Sequence, residues 1–65
     1  MFVRIETVKD TDVILVVNED SRYLGKMMYS DFIDCLVGDK NDYFEEDDYL
    51  YFCVNKEIIN KFLTK

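Results

Sequence analysis

The stretch Val13-Ile14-Leu15-Val16-Val17 is the longest aliphatic run of this 65-residue chain. Four of its five side chains are β-branched, which restricts χ1 in a helix and favours the pleated backbone of a sheet. A run this short, bounded by turn-forming residues, is typical of a strand that is buried on both faces. We therefore predict a central strand at residues 13–17.

Turns and further strands are predicted on both sides of this run. Residues 9–12 and 18–21 are rich in Asp, Asn, Ser and Thr, which favour turns. Residues 2–8 alternate apolar and polar side chains, as a half-buried strand does. Residues 22–29 are the third predicted strand, in which Gly25 would mark a bulge or a close backbone approach.

A short helix is predicted between Ser30 and Gly38. The hydroxyl of Ser30 can accept an unpaired amide of the first helical turn, and Gly38 can take the left-handed conformation that ends a helix. Phe32, Cys35 and Leu36 follow one another at i, i+3 and i+4, so they would form one apolar helix face against the sheet.

The last third of the chain contains one ambiguous segment. Residues 39–48 could form a helical turn capped by Asp42 and Glu45, or an irregular acidic loop. Residues 49–54 alternate again and predict a strand, after which Asn55 can cap a terminal helix. The apolar stripe of that helix would consist of Ile58, Ile59, Phe62 and Leu63.

Together these elements predict a single α+β domain over residues 1–65. It would be a small antiparallel sheet of about four strands with one or two short helices, in the order β-β-β-α-β-α. The strands at 13–17 and 49–54 would be adjacent or nearly so. A chain this short buries only ~60% of its unfolded surface, and self-association would add stability. We therefore expect a homodimer. The expected core consists of Ile14, Val16, Phe32, Leu50 and Phe52.

Negative charge is concentrated in residues 31–48. This stretch carries eight acidic residues and only Lys40, a net of −7, whereas the remaining residues carry six acids and seven bases, a net of +1. Aromatic residues lie within the same stretch and directly after it. Such a surface attracts a basic partner over a long distance, although an acidic stretch can also serve only to keep a small domain soluble.

Several function classes find little support. The chain has no His, the residue best suited to proton transfer near neutral pH and to zinc binding, so we expect no enzyme and no cofactor. An EF-hand loop starting at Asp39 would need Gly and Glu where the chain has Phe44 and Leu50. A looser oxygen-ligand site at residues 45–48 stays open. Direct binding of nucleic acid is disfavoured because the basic residues are scattered from Arg4 to Lys65.

The two cysteines, Cys35 and Cys53, are expected to be free thiols. No segment has the basic, apolar and small-residue succession of a signal peptide, and no apolar run has the ~20 residues of a membrane span. We therefore expect a location in the reducing cytoplasm, which is the host-cell cytoplasm if a phage encodes the chain, and no membrane partner.

Three short segments carry a resemblance to a known family. These are residues 12–20 (Asp-Val-Ile-Leu-Val-Val-Asn-Glu-Asp), then Ser30-Asp31-Phe32, and then Gly38. They resemble the small acidic uracil-DNA glycosylase inhibitors of phi29-like bacteriophages. In that family an apolar strand ends in an acidic turn, and Ser-Asp-Phe opens a short helix that closes on Gly.

The resemblance spans about half of the chain, and it departs at Ile33 and Val37, where the family has Glu and Tyr. Only Ser30, Asp31 and Phe32 correspond residue by residue, and residues 43–48 and the predicted C-terminal helix have no counterpart. The resemblance implies dimers with antiparallel strands and one helix per subunit. It further implies proteins that imitate DNA and hold the enzyme's DNA-probing loop in an apolar pocket.

The expected function is that of a small acidic phage-type inhibitor, which binds the basic nucleic-acid-binding surface of a host enzyme by DNA mimicry. The resemblance adds uracil-DNA glycosylase as a candidate target. One alternative is an anti-defence protein acting on another nucleic-acid enzyme, such as a CRISPR effector. The other is a structural or regulatory oligomerising subunit with a solubilising acidic face. The predicted partner-binding residues are Asp31, Phe32, Asp34, Asp42, Tyr43, Phe44, Glu45, Glu46, Asp47 and Asp48.

Overall fold

The computed structural model describes residues 1–38 and 43–64. In chain order its elements are β1 (Phe2–Thr7), β2 (Val13–Asn18), β3 (Tyr23–Met28), α1 (Tyr29–Ile33), β4 (Tyr43–Glu46), β5 (Tyr49–Cys53) and α2 (Lys56–Phe62). The strands form one antiparallel sheet in the order β3-β2-β1-β5-β4. The α+β prediction is confirmed, with a fifth strand added. Within the described residues, no helix has the length and apolar character needed to cross a membrane.

The fifth strand, β4, lies in the segment for which we predicted a helical turn or an irregular loop. It pairs with β5 from Tyr43↔Phe52 to Glu46↔Tyr49. The two residues between the strands, Asp47 and Asp48, have φ angles of 53° and 68°, as the tightest β-hairpin turns require. The acidic dipeptide therefore closes a hairpin, and Glu45 lies in a strand. Asp42, the predicted cap, lies outside the described residues.

β1 occupies the centre of the sheet. It pairs with β2 over five residue pairs from Val3↔Asn18 to Thr7↔Ile14, so β2 and β5 are separated by one strand. Its pairing with β5 covers only Phe2↔Cys53 and Val3↔Phe52. Beyond Val3 the two strands are not paired, and Leu50 lies in the unpaired part of β5 relative to β1, where it is 45% exposed. The prediction that Leu50 belongs to the core was therefore wrong.

Both helices pack on the same face of the sheet. Val3, Ile14 and Val16 point toward this face and are buried together with Phe32 of α1 and Ile59 of α2. We call it the helix-covered face. The opposite face, which we call the open face, consists of the alternating residues Phe2, Arg4, Glu6, Val13, Leu15, Val17, Tyr23, Lys26, Met28, Phe44, Glu46, Tyr49, Tyr51 and Cys53. No helix of the described chain lies over the open face.

α1 is shorter than predicted. It begins directly after β3, where the Tyr29 amide donates to the Asp12 carbonyl at 2.8 Å, and its N-cap Met28 makes no side-chain cap bond. Ser30 therefore lies in the first helical turn and is not its cap. The helix ends before Leu36 because that residue pairs with Val54 in a strand-like bridge. Such pairing can compete with a helix this short, whose formation is costly.

The C-terminal segment supports both predictions made for Asn55 and Gly25. The Asn55 side chain accepts bonds from the Glu57 and Ile58 amides at 3.0 and 3.1 Å, so it caps α2 as expected. Gly25 lies at a register shift between β2 and β3. A Cβ atom there would lie 3.1 Å from the Thr64 carbonyl oxygen, so Gly25 allows both the bulge and the close approach of the chain end.

The apolar stripe predicted for α2 is only half buried. Ile59 is fully buried and Leu63 packs against the core. Ile58 and Phe62 are 37% and 40% exposed. A helix of two turns presents one narrow stripe to a sheet, so residues flanking that stripe remain at the surface.

Candidate functional site

The hairpin of β4 and β5 presents four consecutive acidic side chains. Glu45 and Glu46 end β4, Asp47 and Asp48 form the turn, and all four are exposed. β4 is an outer strand, where charged side chains discourage pairing with a further strand. Because side chains alternate along a strand, Glu45 points to the helix-covered face and Glu46 to the open face. The hairpin is therefore negative on both faces and at its tip.

The sheet register adds two acidic residues to this tip. Since β1 and β5 are antiparallel, the loop after β1 lies at the same end of the sheet as the β4–β5 turn. That loop carries Asp10 and Asp12, both exposed. We call Asp10, Asp12, Asp47 and Asp48 the acidic end. Lys9 lies in the same loop.

Sequence reasoning missed Asp10 and Asp12 as members of this group. We interpreted them only as turn formers, because they precede the acidic stretch at residues 31–48 and are separated from it in the chain by β2 and β3. The signal that could have found them is the antiparallel order of the strands, since it determines which loops share one end of a sheet. That order does not follow from the local pattern.

The acidic residues of α1 lie away from the β4–β5 turn. Asp31 is half-buried and lines a shallow cleft with Val13, Met28 and Phe62, next to β3. β3 and β4 are opposite outer strands, about four strand spacings or ~19 Å apart. Asp34 is exposed at the C-cap of α1, directly before Cys35, whose carbonyl accepts a bond from the Asn55 amide at 2.8 Å.

Phe32, predicted as an apolar anchor for a partner, is a core residue. It is 1% exposed, and its ring packs edge-on against Phe52 with 5.9 Å between centroids. A partner cannot reach it without opening the fold. We therefore leave Phe32 out of the surface proposed below.

The other predicted anchors lie on opposite faces of β4. Tyr43 is 51% exposed and tilts against Phe52 on the helix-covered face. Phe44 lies on the open face, half-buried, stacked on Tyr51 with 5.0 Å between centroids. Two apolar side chains that we had not proposed accompany them, since Tyr49 and Leu50 beside the turn are 44% and 45% exposed. The exposed aromatic surface next to the acidic end is therefore larger than predicted.

Arg4 is a buried positive charge at the centre of the open face. It is 8% exposed, and its guanidinium carbon lies 3.9 Å from the centroid of the Tyr49 ring, a cation–π contact. Among the described residues, its Nε and Nη1 atoms have no hydrogen-bond partner. Buried charges are normally paired, so this arginine requires an explanation.

The Cys35 side chain is unsuited to nucleophilic chemistry. Burial raises the pKa of its thiol, and the nearby negative charges of Asp34 and Asp31 raise the pKa further. The thiol donates weakly to the Asp31 carbonyl at 3.3 Å. A thiol with a raised pKa has little of the thiolate that attacks a substrate, so Cys35 serves packing.

Metal binding also finds no support in the described part of the chain. Within residues 1–38 and 43–64, no three His, Cys, Asp or Glu side chains are grouped so as to hold a metal ion. This includes Glu45 to Asp48, for which a loose oxygen-ligand site had stayed open. The arrangement of these carboxylates fits the attraction of a basic surface better than the enclosure of an ion.

Comparisons with protein-family models, with curated proteins and with solved structures find no match.

Proposed function

We propose that this chain is a small acidic inhibitor that occupies the basic nucleic-acid-binding surface of an enzyme. The observation that carries the proposal is the acidic end, in which two turns of the sheet combine their carboxylates, together with Glu45 and Glu46 on the adjoining strand. Acidic groups held on a rigid hairpin can take the positions that phosphates take in a basic groove.

Exposed aromatic and aliphatic side chains next to the acidic end supply the second component of such a surface. Tyr43, Tyr49 and Leu50 are each between 44% and 51% exposed. Aromatic side chains carry much of the binding energy at protein interfaces, while charges at the rim mainly accelerate association. The proposed mechanism is therefore electrostatic steering followed by apolar anchoring, which blocks the groove to DNA.

A uracil-DNA glycosylase is the first target to test, because the sequence resemblance implies it. Association of the purified chain with immobilised enzyme is measured by surface plasmon resonance at several NaCl concentrations, with duplex DNA as competitor. The test variant carries Glu45→Gln, Glu46→Gln, Asp47→Asn and Asp48→Asn. We expect its on-rate at low salt to fall about tenfold or more and its salt dependence to flatten.

A control removes three acidic charges elsewhere, against four in the test variant. Glu19→Gln, Asp20→Asn and Glu57→Gln change exposed residues in the β2–β3 turn and in α2, away from the acidic end. The on-rate of this variant should stay within about threefold of wild type, because steering depends on charge near the contact surface. Equal losses for both variants would show that net charge alone governs binding. Absence of binding at micromolar concentration would exclude the glycosylase, and the same assay on a CRISPR effector would test the alternative target.

A second candidate function is that of a structural or regulatory subunit that oligomerises. The open face favours it, because it carries several exposed aromatic side chains with no covering helix in the described chain, and exposed apolar surface is a common site of subunit contact. The salt dependence of binding distinguishes the two functions. Binding driven by the acidic end weakens steeply between low and physiological salt, whereas association through an apolar face changes little.

A further inference from the structure

The end of the β4–β5 hairpin is loosely attached to the rest of the sheet. Pairing between β1 and β5 stops at Val3↔Phe52. Residues 45–50, which we call the hairpin tip, are paired with one another across the turn. All six of their side chains are exposed. A segment with so few buried contacts can open at a lower free-energy cost than the fold as a whole.

The base of the same hairpin is firmly packed. Phe52 contacts the core residue Phe32, with 5.9 Å between ring centroids. On the open face, Tyr51 is buried and stacks on Phe44 at 5.0 Å. Phe44 in turn meets the edge of the Phe2 ring at 4.9 Å. A movement of the hairpin tip would therefore bend the hairpin at the Phe44↔Tyr51 pair and leave the core closed.

The Tyr49 ring connects the hairpin tip to β1 by covering Arg4. The guanidinium carbon of Arg4 lies 3.9 Å from the centroid of that ring. The Nε and Nη1 atoms of Arg4 are sealed from solvent within the chain, and among the described residues they have no hydrogen-bond partner. Burying the N–H groups of a cation without acceptors costs more free energy than a cation–π contact returns. The contact between Tyr49 and Arg4 is therefore a strained one.

This strain is relieved if the hairpin tip moves away from β1. We propose that the tip alternates between a closed position, in which Tyr49 covers Arg4, and a lifted position, in which water reaches the Arg4 guanidinium. Hydration of the N–H groups then offsets the loss of the cation–π contact. The pairs within the tip stay formed, so the four acidic side chains of residues 45–48 move together.

The inference goes beyond the proposed function, because it concerns the free chain. On the proposed inhibitor surface, a hairpin tip with two positions would let a basic groove select the orientation of the carboxylates that fits it. A tip that never lifts presents the same charges in one orientation. Failure of the tests below would therefore leave the inhibitor proposal standing, and failure to bind an enzyme would leave the lifting of the tip untouched.

Hydrogen exchange of the arginine Nε–H groups, measured by NMR on the full chain, tests the two positions. The chain has two arginines, and Arg22, exposed in the β2–β3 turn, is the internal reference. The Nε–H of Arg4 should exchange at least about tenfold more slowly than that of Arg22, since water reaches it only in the lifted position.

The buried part of β2 supplies the second reference. After correction for the intrinsic rate of each group, the opening constant from Arg4 should exceed that from the Val16 amide by at least about tenfold, because that amide exchanges through global unfolding. Equal opening constants for Arg4 and Val16 would overturn the proposal, since Arg4 would then be reached only by unfolding. Exchange of Arg4 as fast as that of Arg22 would overturn it equally, since no closed position would exist.

A variant at position 49 tests whether the tyrosine ring holds the closed position. Tyr49→Leu keeps an apolar side chain but removes the cation–π contact, so the opening constant from Arg4 should rise at least about fivefold. The control Tyr23→Leu changes a similarly exposed tyrosine of β3 on the same face and should leave that constant within about twofold of wild type. An unchanged constant in folded Tyr49→Leu, or an equal rise in the control, overturns the proposal. Circular dichroism checks folding, and if Tyr49→Leu does not fold, the exchange of wild-type Arg4 decides.

Discussion

At the scale of single residues, Phe32 and Tyr43 differ in their surroundings, because Phe32 lies in the core and Tyr43 at the surface. Both were predicted to be anchors for a partner. Phe32 is 1% exposed and Tyr43 is 51% exposed. Phe32→Ala would leave a cavity in the core and should lower the free energy of unfolding by about 3–5 kcal/mol. Tyr43→Ala should lower it by less than about 1 kcal/mol. Urea unfolding of both variants measures this, and a similar loss for the two would contradict the assignment.

Cys35 makes stability depend on pH at the alkaline end. Its thiol has a pKa above the ordinary value of 9.0 because of burial and the nearby carboxylates. A group whose pKa is raised in the folded state stabilises the fold below its unfolded pKa, and the contribution is lost as pH rises through the folded pKa. Stability should therefore fall above about pH 9.

The pH effect is measured as the difference between wild type and Cys35→Ala in urea midpoint, from pH 7 to pH 10.5. Using the difference cancels the titration of the tyrosines and lysines, which both chains share. We expect Cys35→Ala to be less stable at neutral pH, because it loses packing, and the gap to narrow as pH rises. A gap that stays constant over this range would contradict a raised thiol pKa.

At the scale of elements, the turn of the β4–β5 hairpin lowers the stability of the fold. Asp47 and Asp48 both have positive φ, which side chains with a Cβ adopt only with strain. Replacing the dipeptide by Asn-Gly, the residues most favoured in such turns, should raise the free energy of unfolding by about 0.5–1 kcal/mol. Asp48→Val, the matched unfavourable change, should lower it by about 1–2 kcal/mol. A neutral effect of both changes would contradict the turn geometry.

On the opposite side of the sheet, the backbone conformation and the nearby chain end restrict position 25 to glycine. Its φ is 151°, and an added Cβ would lie 3.1 Å from the Thr64 carbonyl oxygen and 3.3 Å from Cβ of Leu63. Gly25→Ala should therefore lower the free energy of unfolding by about 1–3 kcal/mol, since both the backbone and the chain end must shift. Lys26→Ala, an exposed change in the same strand, is the control and should have little effect in urea unfolding.

At the scale of the whole molecule, the net charge of −6 opposes the compact state. The longest extent of the molecule is 24 Å, which is shorter than the Debye length of about 30 Å at 0.01 M salt and longer than the 10 Å at 0.1 M. Raising NaCl from 0.01 to 0.2 M should increase Tm by about 2–4 °C. The four-fold amide variant at residues 45–48 should be more stable at low salt and respond less. Equal salt responses would show that these carboxylates add no appreciable repulsion.

Local pattern alone predicted much of this fold. The β-branched run at residues 13–17, the alternation at residues 2–8 and 49–54, the cap Asn55 and the special position of Gly25 are each determined by neighbours within a few residues. Short-range sterics and side-chain periodicity set these features, so they can be read from the chain. The concentration of acidic residues in one stretch is also a property of the sequence alone.

Only the tertiary structure decided where that charge lies and which aromatic residues are exposed to solvent. The order β3-β2-β1-β5-β4 separates Asp31 from Asp48, brings Asp10 to the same end of the sheet as Asp47, and buries Phe32. Among residues 1–38 and 43–64, it also leaves the Nε and Nη1 atoms of Arg4 without a hydrogen-bond partner. These outcomes depend on which strands pair and which face the helices cover. That choice is made by contacts between residues far apart in the chain, whose combined burial outweighs local preference.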